Sequence, residues 1–189
     1  MKTPPRHALF ALALALHAGC ASALSPGSVG TPEFASVPPQ HDRVRLVLET
    51  LDDRHIDVAD HRGKAVLILA FSTENVASHA LARNLEAVAR AHPDDLAVIA
   101  IAGDDLADRA ARRTMLQTWR DVADLQHVTV AYASDDVRAG TSALGLIEHV
   151  PTLYFLNRVG AIVRRIEAFL TVEQIEALVA PALPPRSSR

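Results

Sequence analysis

Cysteine is almost absent from this 189-residue chain, which holds one, Cys20. A single cysteine excludes an intramolecular disulfide, a dithiol–disulfide cycle and a multi-cysteine metal site. Aromatic residues make up 4%, with Trp119 the single tryptophan. Few stacking platforms and a formal net charge of −3 argue against a nucleic-acid surface. Lysine occurs only at Lys2 and Lys64. There is no internal repeat, no G-x-G-x-x-G or Walker phosphate loop, and no G-x-S-x-G nucleophile elbow. What is present is 49% hydrophobic and 22% charged, the composition of a globular protein.

The N-terminal residues read as an address. Lys2, Arg6 and His7 precede a nine-residue apolar run, Ala8 to Leu16. A spanning helix needs about 20 such residues, so the run fits a secretory h-region. His17-Ala18-Gly19-Cys20 resembles a bacterial lipobox, with His17 departing from the usual aliphatic residue. Ala21-Ser22-Ala23 offers an ordinary signal-peptidase site as the alternative. The expectation is a signal peptide over 1–19, lipidation at Cys20 and a location on the periplasmic side of a bacterial envelope. A soluble secreted form is the alternative. Acyl chains contribute ~0.8 kcal/mol per buried CH₂, so several chains anchor durably. Residues 20–41 are rich in Ser, Pro and Gly without an apolar period and read as a tether of roughly 25 Å. Residues 182–189 read as a frayed tail.

Residues 42–181 read as one domain. Val44, Leu46 and Leu48 alternate with more polar neighbours, a strand with one wet face. Ile56 and Val58 point to a short partner strand. Ala65 to Phe71 and Leu96 to Ala102 are continuous apolar runs, as strands buried on both faces require. Between them Leu81, Leu85, Val88 and Ala89 share one helical stripe, which should stop before Pro93. A second helix is expected over Leu106 to Arg120; its Arg109, Arg112, Arg113 and Arg120 read as a solvated face more readily than as an anion site. Then come a strand over His127 to Tyr132, a short helix over Asp135 to Leu144, and strands over Thr152 to Leu156 and Ala161 to Ile166. Thr171 and Gln174 have capping-box spacing and open a last helix. Alternating strands and helices followed by a hairpin give an α/β sandwich.

Three local patterns carry a resemblance. LDDRHIDVADHRGK (51–64) looks like a hairpin followed by R-G-K, AVLILAF (65–71) like a first central strand, and Val150-Pro151-Thr152 with LYFLNRVGAIV (153–163) like a cis-proline loop and hairpin. Their order resembles the thioredoxin-like extracytoplasmic proteins of the TlpA/ResA, or redoxin, type. The resemblance implies a three-layer α/β/α sandwich with a central mixed sheet and an N-terminal β-hairpin. It also implies a cis Val150–Pro151 bond beside the start of the first helix.

The departure from that family lies just after Phe71. Where members continue with a stretch like W-A-T-W-C-x-x-C, this chain has Ser72-Thr73-Glu74-Asn75-Val76-Ala77-Ser78-His79. The C-x-x-C positions fall on Val76, Ala77, Ser78 and His79. Valine supplies no thiolate, and no second sulfur is there to resolve a mixed disulfide. No catalytic residue is carried over and no cofactor is expected. His79 and His149, with Glu74 or Glu148, are a candidate copper or zinc set, against the plainer reading of two surface histidines. A Ser72 or Ser78 nucleophile with His79 lacks an evident orienting acid. The reading that follows is a redox-inactive envelope lipoprotein. Its groove at Val150, Pro151 and Thr152 would hold an extended peptide or an envelope protein partner. A thiol–disulfide oxidoreductase and a histidine-based metal chaperone are the alternatives.

Overall fold

The two continuous apolar runs become neighbouring strands at the centre of a sheet. The computed structural model describes residues 43–104 and 108–184. Along them run β1 (Val47–Glu49), β2 (His55–Asp57), β3 (Ala65–Phe71), α1 (Val76–Ala91), β4 (Leu96–Ala102), α2 (Arg109–Ala123), β5 (Val128–Tyr132), α3 (Asp135–Arg138), β6 (Thr152–Leu156), β7 (Ile162–Ile166) and α4 (Val172–Val179). The main sheet has the order β5-β4-β3-β6-β7, and β1 and β2 form a separate antiparallel hairpin. β3 and β4 are parallel from Ala65↔Leu96 to Phe71↔Ala102, and β6 runs antiparallel to β3 from Val66↔Leu156 to Ala70↔Thr152. All seven residues of β3 are buried.

The period-2 alternation of β3 divides the core. Leu67, Leu69 and Phe71 face the stripe of α1 (Leu81, Leu85, Val88), Leu116 and Trp119 of α2, and Ile175 and Val179 of α4. Val66, Ile68 and Ala70 face a thinner layer made by Val44, Leu46 and Leu48, Val58, Val137 of α3, and Leu144. The layering expected from the sequence is therefore present, with one thick helical layer and one thin layer built partly from extended chain. Burying each α1 leucine is worth roughly 1.5–3 kcal/mol.

Local chemistry sets the boundaries. Asn75 caps α1 by accepting the Ser78 N–H, and the helix ends at Ala91 because Pro93 disfavours helical backbone at His92. Asp108 caps α2 through the Ala110 and Ala111 N–H groups, so that helix spans Arg109–Ala123, three residues later at each end than expected; Leu106 lies outside the described residues. Thr171 and Gln174 form the capping box of α4. The short helix α3 stops at Arg138 and does not reach Leu144. Gly140 turns the chain at φ +70°, and a Cβ there would lie 3.0 Å from the Leu146 backbone. Val58 does not extend β2; Asp57 accepts from Ala59 N–H and starts a 3₁₀ turn over Val58–His61. Ala182 and Leu183 pack against the helical core layer, so the ordered body runs past 181. The expected signal peptide (1–19), tether (20–41) and Cys20 lie outside the described residues.

Two groups of polar contacts tie distant segments together. The arginines of α2 pair with acids of the N-terminal hairpin: Arg109 with Glu49, Arg113 with Asp53 at 2.6 Å, and Arg120 with Asp52 at 3.6 Å. The α2 face is thus a clasp on the hairpin. Glu86 of α1, only 6% exposed, accepts the backbone N–H groups of Gln126, His127 and Val128 at 3.0, 2.8 and 3.2 Å. Its other oxygen meets His127 Nδ1 at 2.6 Å. This turns His127 out of the ladder, and β5 begins at Val128. Beyond β1 the chain meets β5, through a Thr50↔Ala131 bridge and the Leu51 N–H to Val130 carbonyl bond.

Candidate functional site

The carboxyl end of β3 delivers the chain to a loop, Ser72 to Asn75, and then to α1. Asn75 serves both sides of this junction. Its Oδ1 accepts the Ser78 N–H at 3.0 Å, and its Nδ2 donates to the Val150 carbonyl at 3.1 Å. The helix start is thereby joined to the loop carrying Pro151, 75 positions away. The Val150–Pro151 bond is cis, and Thr152 Oγ1 donates to the His149 carbonyl. One polar backbone group beside the proline, the Val150 carbonyl, is thus engaged by Asn75.

Val76 is the first helical residue and 82% exposed. Ala77 is half-buried and Ser78 fully buried. Ser78 Oγ has no hydrogen-bond partner among the described residues. His79 turns inward; its Nε2–H donates to the Thr73 carbonyl at 2.8 Å. Its ring lies 5.4 Å from that of Trp119, which stacks on Phe71 at 3.9 Å. Ser72 Oγ donates to Asp104 at 2.8 Å, and the Thr73 N–H donates to the same carboxylate at 3.0 Å.

These contacts decide how the sequence candidates stand. Ser72 and Ser78 have no bond to His79: one serves Asp104, the other is sealed in. His79 spends Nε2 on Thr73, and His149 and Glu148 are exposed loop residues. Among the described residues no three His, Cys, Asp or Glu side chains converge as a metal set. Two residues central to the junction, Asn75 and Asp104, were not singled out from the sequence. Asn75 carries a faint signal as an N-cap type three residues before Ser78. Asp104 carries none, since its partners lie 31 and 32 positions away.

The arrangement of these elements superposes on solved structures. A thiol:disulfide interchange protein of Chlorobium tepidum superposes with a TM-score of 0.65 over 79% of this chain and 100% of that one, at 17% identity. The fold is thioredoxin-like. DsbF of Mycobacterium tuberculosis matches with a TM-score of 0.62 over 74% of this chain and 96% of that one, at 15% identity. The exposed lipoprotein thioredoxin Etrx1 of Streptococcus pneumoniae gives 0.61 over 72% and 98%, at 16% identity. No protein-family model matches the chain, and no curated protein matches it in sequence. In this thioredoxin-like fold no helix among the described residues is long and apolar enough to cross a membrane.

Proposed function

We propose that this chain is a thioredoxin-like binding module of the bacterial envelope that has no thiol chemistry of its own. It is tethered through a lipidated Cys20 and holds an extended peptide or protein partner at the junction of α1 and the Pro151 loop. The observation that carries the reading is Val76. The first position of the helix, where a thiolate would gain from the helix dipole, presents an exposed branched hydrocarbon. Hydrocarbon there supports contact with a partner and supplies neither nucleophile nor leaving group. His79, at the second C-x-x-C position, is held by Thr73. A bound peptide pairs with the remaining backbone groups of the 149–152 loop, or its N–H replaces the Asn75 amide on the Val150 carbonyl.

The test has two arms on the purified full-length protein. Reduction of a protein disulfide by a thiol donor is expected to run at the rate of the donor alone; acceleration would overturn the reading. Addition of extended peptides is expected to move the backbone resonances of Val76, Val150 and Thr152. Shifts confined to other surfaces would move the binding role elsewhere on the domain.

A further inference from the structure

The strand order reverses its direction of growth at β3. From β3 the chain moves outward through α1 to β4 and through α2 to β5, then returns by α3 and the 139–151 segment to place β6 on the other side of β3. The α1 connection packs on one face of the sheet and Val137 of α3 on the other. The carboxyl ends of the parallel strands β3, β4 and β5 and the amino end of the antiparallel β6 meet at one edge of the sheet, and the region outside carboxyl strand ends is the usual ligand position in α/β sheets.

A cavity of about 430 Å³ lies there, within the size range of ligand pockets. Ile101, Ala133, Val137, Ile147 and Val150 give it apolar walls. Val150 also belongs to the proline loop, so that loop supplies part of the cavity wall. Arg138 and Asp104 stand in the lining. Arg138 is committed to the Asp135 carboxylate and the Ala133 carbonyl. Asp104 accepts from two neutral donors, the Ser72 hydroxyl and the Thr73 N–H. A carboxylate offers about four lone-pair sites, so among the described residues Asp104 has acceptor positions beyond those two donors. Glu74 and Glu148, both exposed, add negative charge on the two segments flanking it.

We propose that this cavity is the specificity pocket of the peptide groove. It takes an aromatic or long aliphatic side chain of the extended partner, with a neighbouring lysine or arginine set against Asp104. The inference rests on the peptide-binding reading above and narrows its substrate class to apolar–basic segments.

The experiment selects a displayed random heptapeptide library on the full-length protein and resynthesises the consensus. Enrichment of Phe, Trp or Leu next to Lys or Arg is expected. Replacing the apolar residue by Ala should weaken binding roughly thirtyfold, and replacing the basic residue by Gln about fivefold. Ile147→Trp, which fills the cavity, should abolish selection of the apolar residue, and Asp104→Asn should remove only the basic preference. In the unaltered protein the methyl resonances of Ile101, Val137 and Ile147 should shift on peptide addition, a readout that does not depend on a variant folding. Peptides selected without an apolar residue, and moving Val76 and Thr152 but not those methyls, would overturn the pocket and leave the groove. No selected peptide at all would overturn both. Binding of a free aromatic such as indole at those methyls, without any peptide selection, would assign the cavity to a small molecule and overturn the peptide occupant.

Discussion

Removing the Glu86 carboxylate should destabilise the domain more than any change on its surface. One oxygen accepts three successive backbone N–H groups at the start of β5, and the other meets the His127 ring. In Glu86→Ala all four donors lose their partner. The Val128 N–H is buried and carries the full penalty of about 1–3 kcal/mol for an unsatisfied group. Gln126 and His127 are exposed residues, so water replaces part of what their N–H groups lose. The sum is about 3 kcal/mol, a large share of the ~5–15 kcal/mol that holds a domain together, and corresponds to roughly 10 °C in melting temperature. Glu86→Gln keeps an oxygen for the backbone donors and turns an amide toward His127, so it should cost about 1 kcal/mol. Urea unfolding gives both numbers, with a lowered midpoint and an unchanged slope. Amide exchange should quicken at residues 126–128 in the alanine variant before it quickens elsewhere. An alanine variant within ~0.5 kcal/mol of the parent would refute the reasoning. So would a glutamine variant as damaged as alanine, which would make charge and not acceptor geometry the cause.

Leu85→Ala, in the centre of the α1 stripe and fully buried, should cost about 2–5 kcal/mol by chemical denaturation; a smaller loss would mean that the layer beneath α1 closes over the gap. Val76→Cys with His79→Cys places two thiols one helical turn apart, with Cβ atoms about 5–6 Å from each other, close enough to bridge with small adjustment. Thiol titration after mild oxidation should find the pair closed, and a pair that stays reduced would contradict the helix start at Val76. His61 has its pKa lowered from the ordinary 6.5, first by burial and then by the Lys64 charge. The unfolded chain therefore binds the proton more readily, and stability should fall as pH drops below 6.5; His61→Gln should flatten that slope in pH-dependent melting. Both tyrosines, Tyr132 and Tyr154, have pKa values raised above 10.0, chiefly by burial. Tyrosinate absorbance of the native protein should stay low through pH 10 while the unfolded chain titrates there, and an early native rise would argue against their burial.

The parts of the fold written in uninterrupted hydrocarbon were legible in the sequence to the residue. β3, β4 and β6 need only apolar runs with a Gly, Asp or Pro at one end, and α1 needs a stripe and a terminating Pro93. Signals with a range of three residues, such as the Thr171–Gln174 box, also survive into the structure. The extent of α3 was not legible, because it depends on how close Gly140 comes to Leu146, a packing fact with no local signature. The pairing of the α2 arginines was not legible, because their acids, Glu49 and Asp53, lie 60 positions away. The same holds at the site. The sequence pointed to Val76 and Pro151, but the contact that joins their segments comes from Asn75, and the charge set by the neighbouring cavity comes from Asp104. Both act across chain separations that neither period nor spacing encodes.

The chain that crosses from β1 to β5 has a consequence for how copies of this domain behave when crowded. A sheet with open flanks is a template on which a second chain can pair. Here the middle of β5 is already engaged by Thr50 and Leu51. The opposite flank, β7, carries Arg164 and Arg165, and its pairing with β6 is irregular between Phe155 and Leu156. A neighbour's strand would have to displace the first or lie against the arginines of the second. Both flanks thereby resist pairing with a second copy when the domain is concentrated. A chain shortened past Leu51 should aggregate through β5, which light scattering of the two forms at matched concentration would reveal.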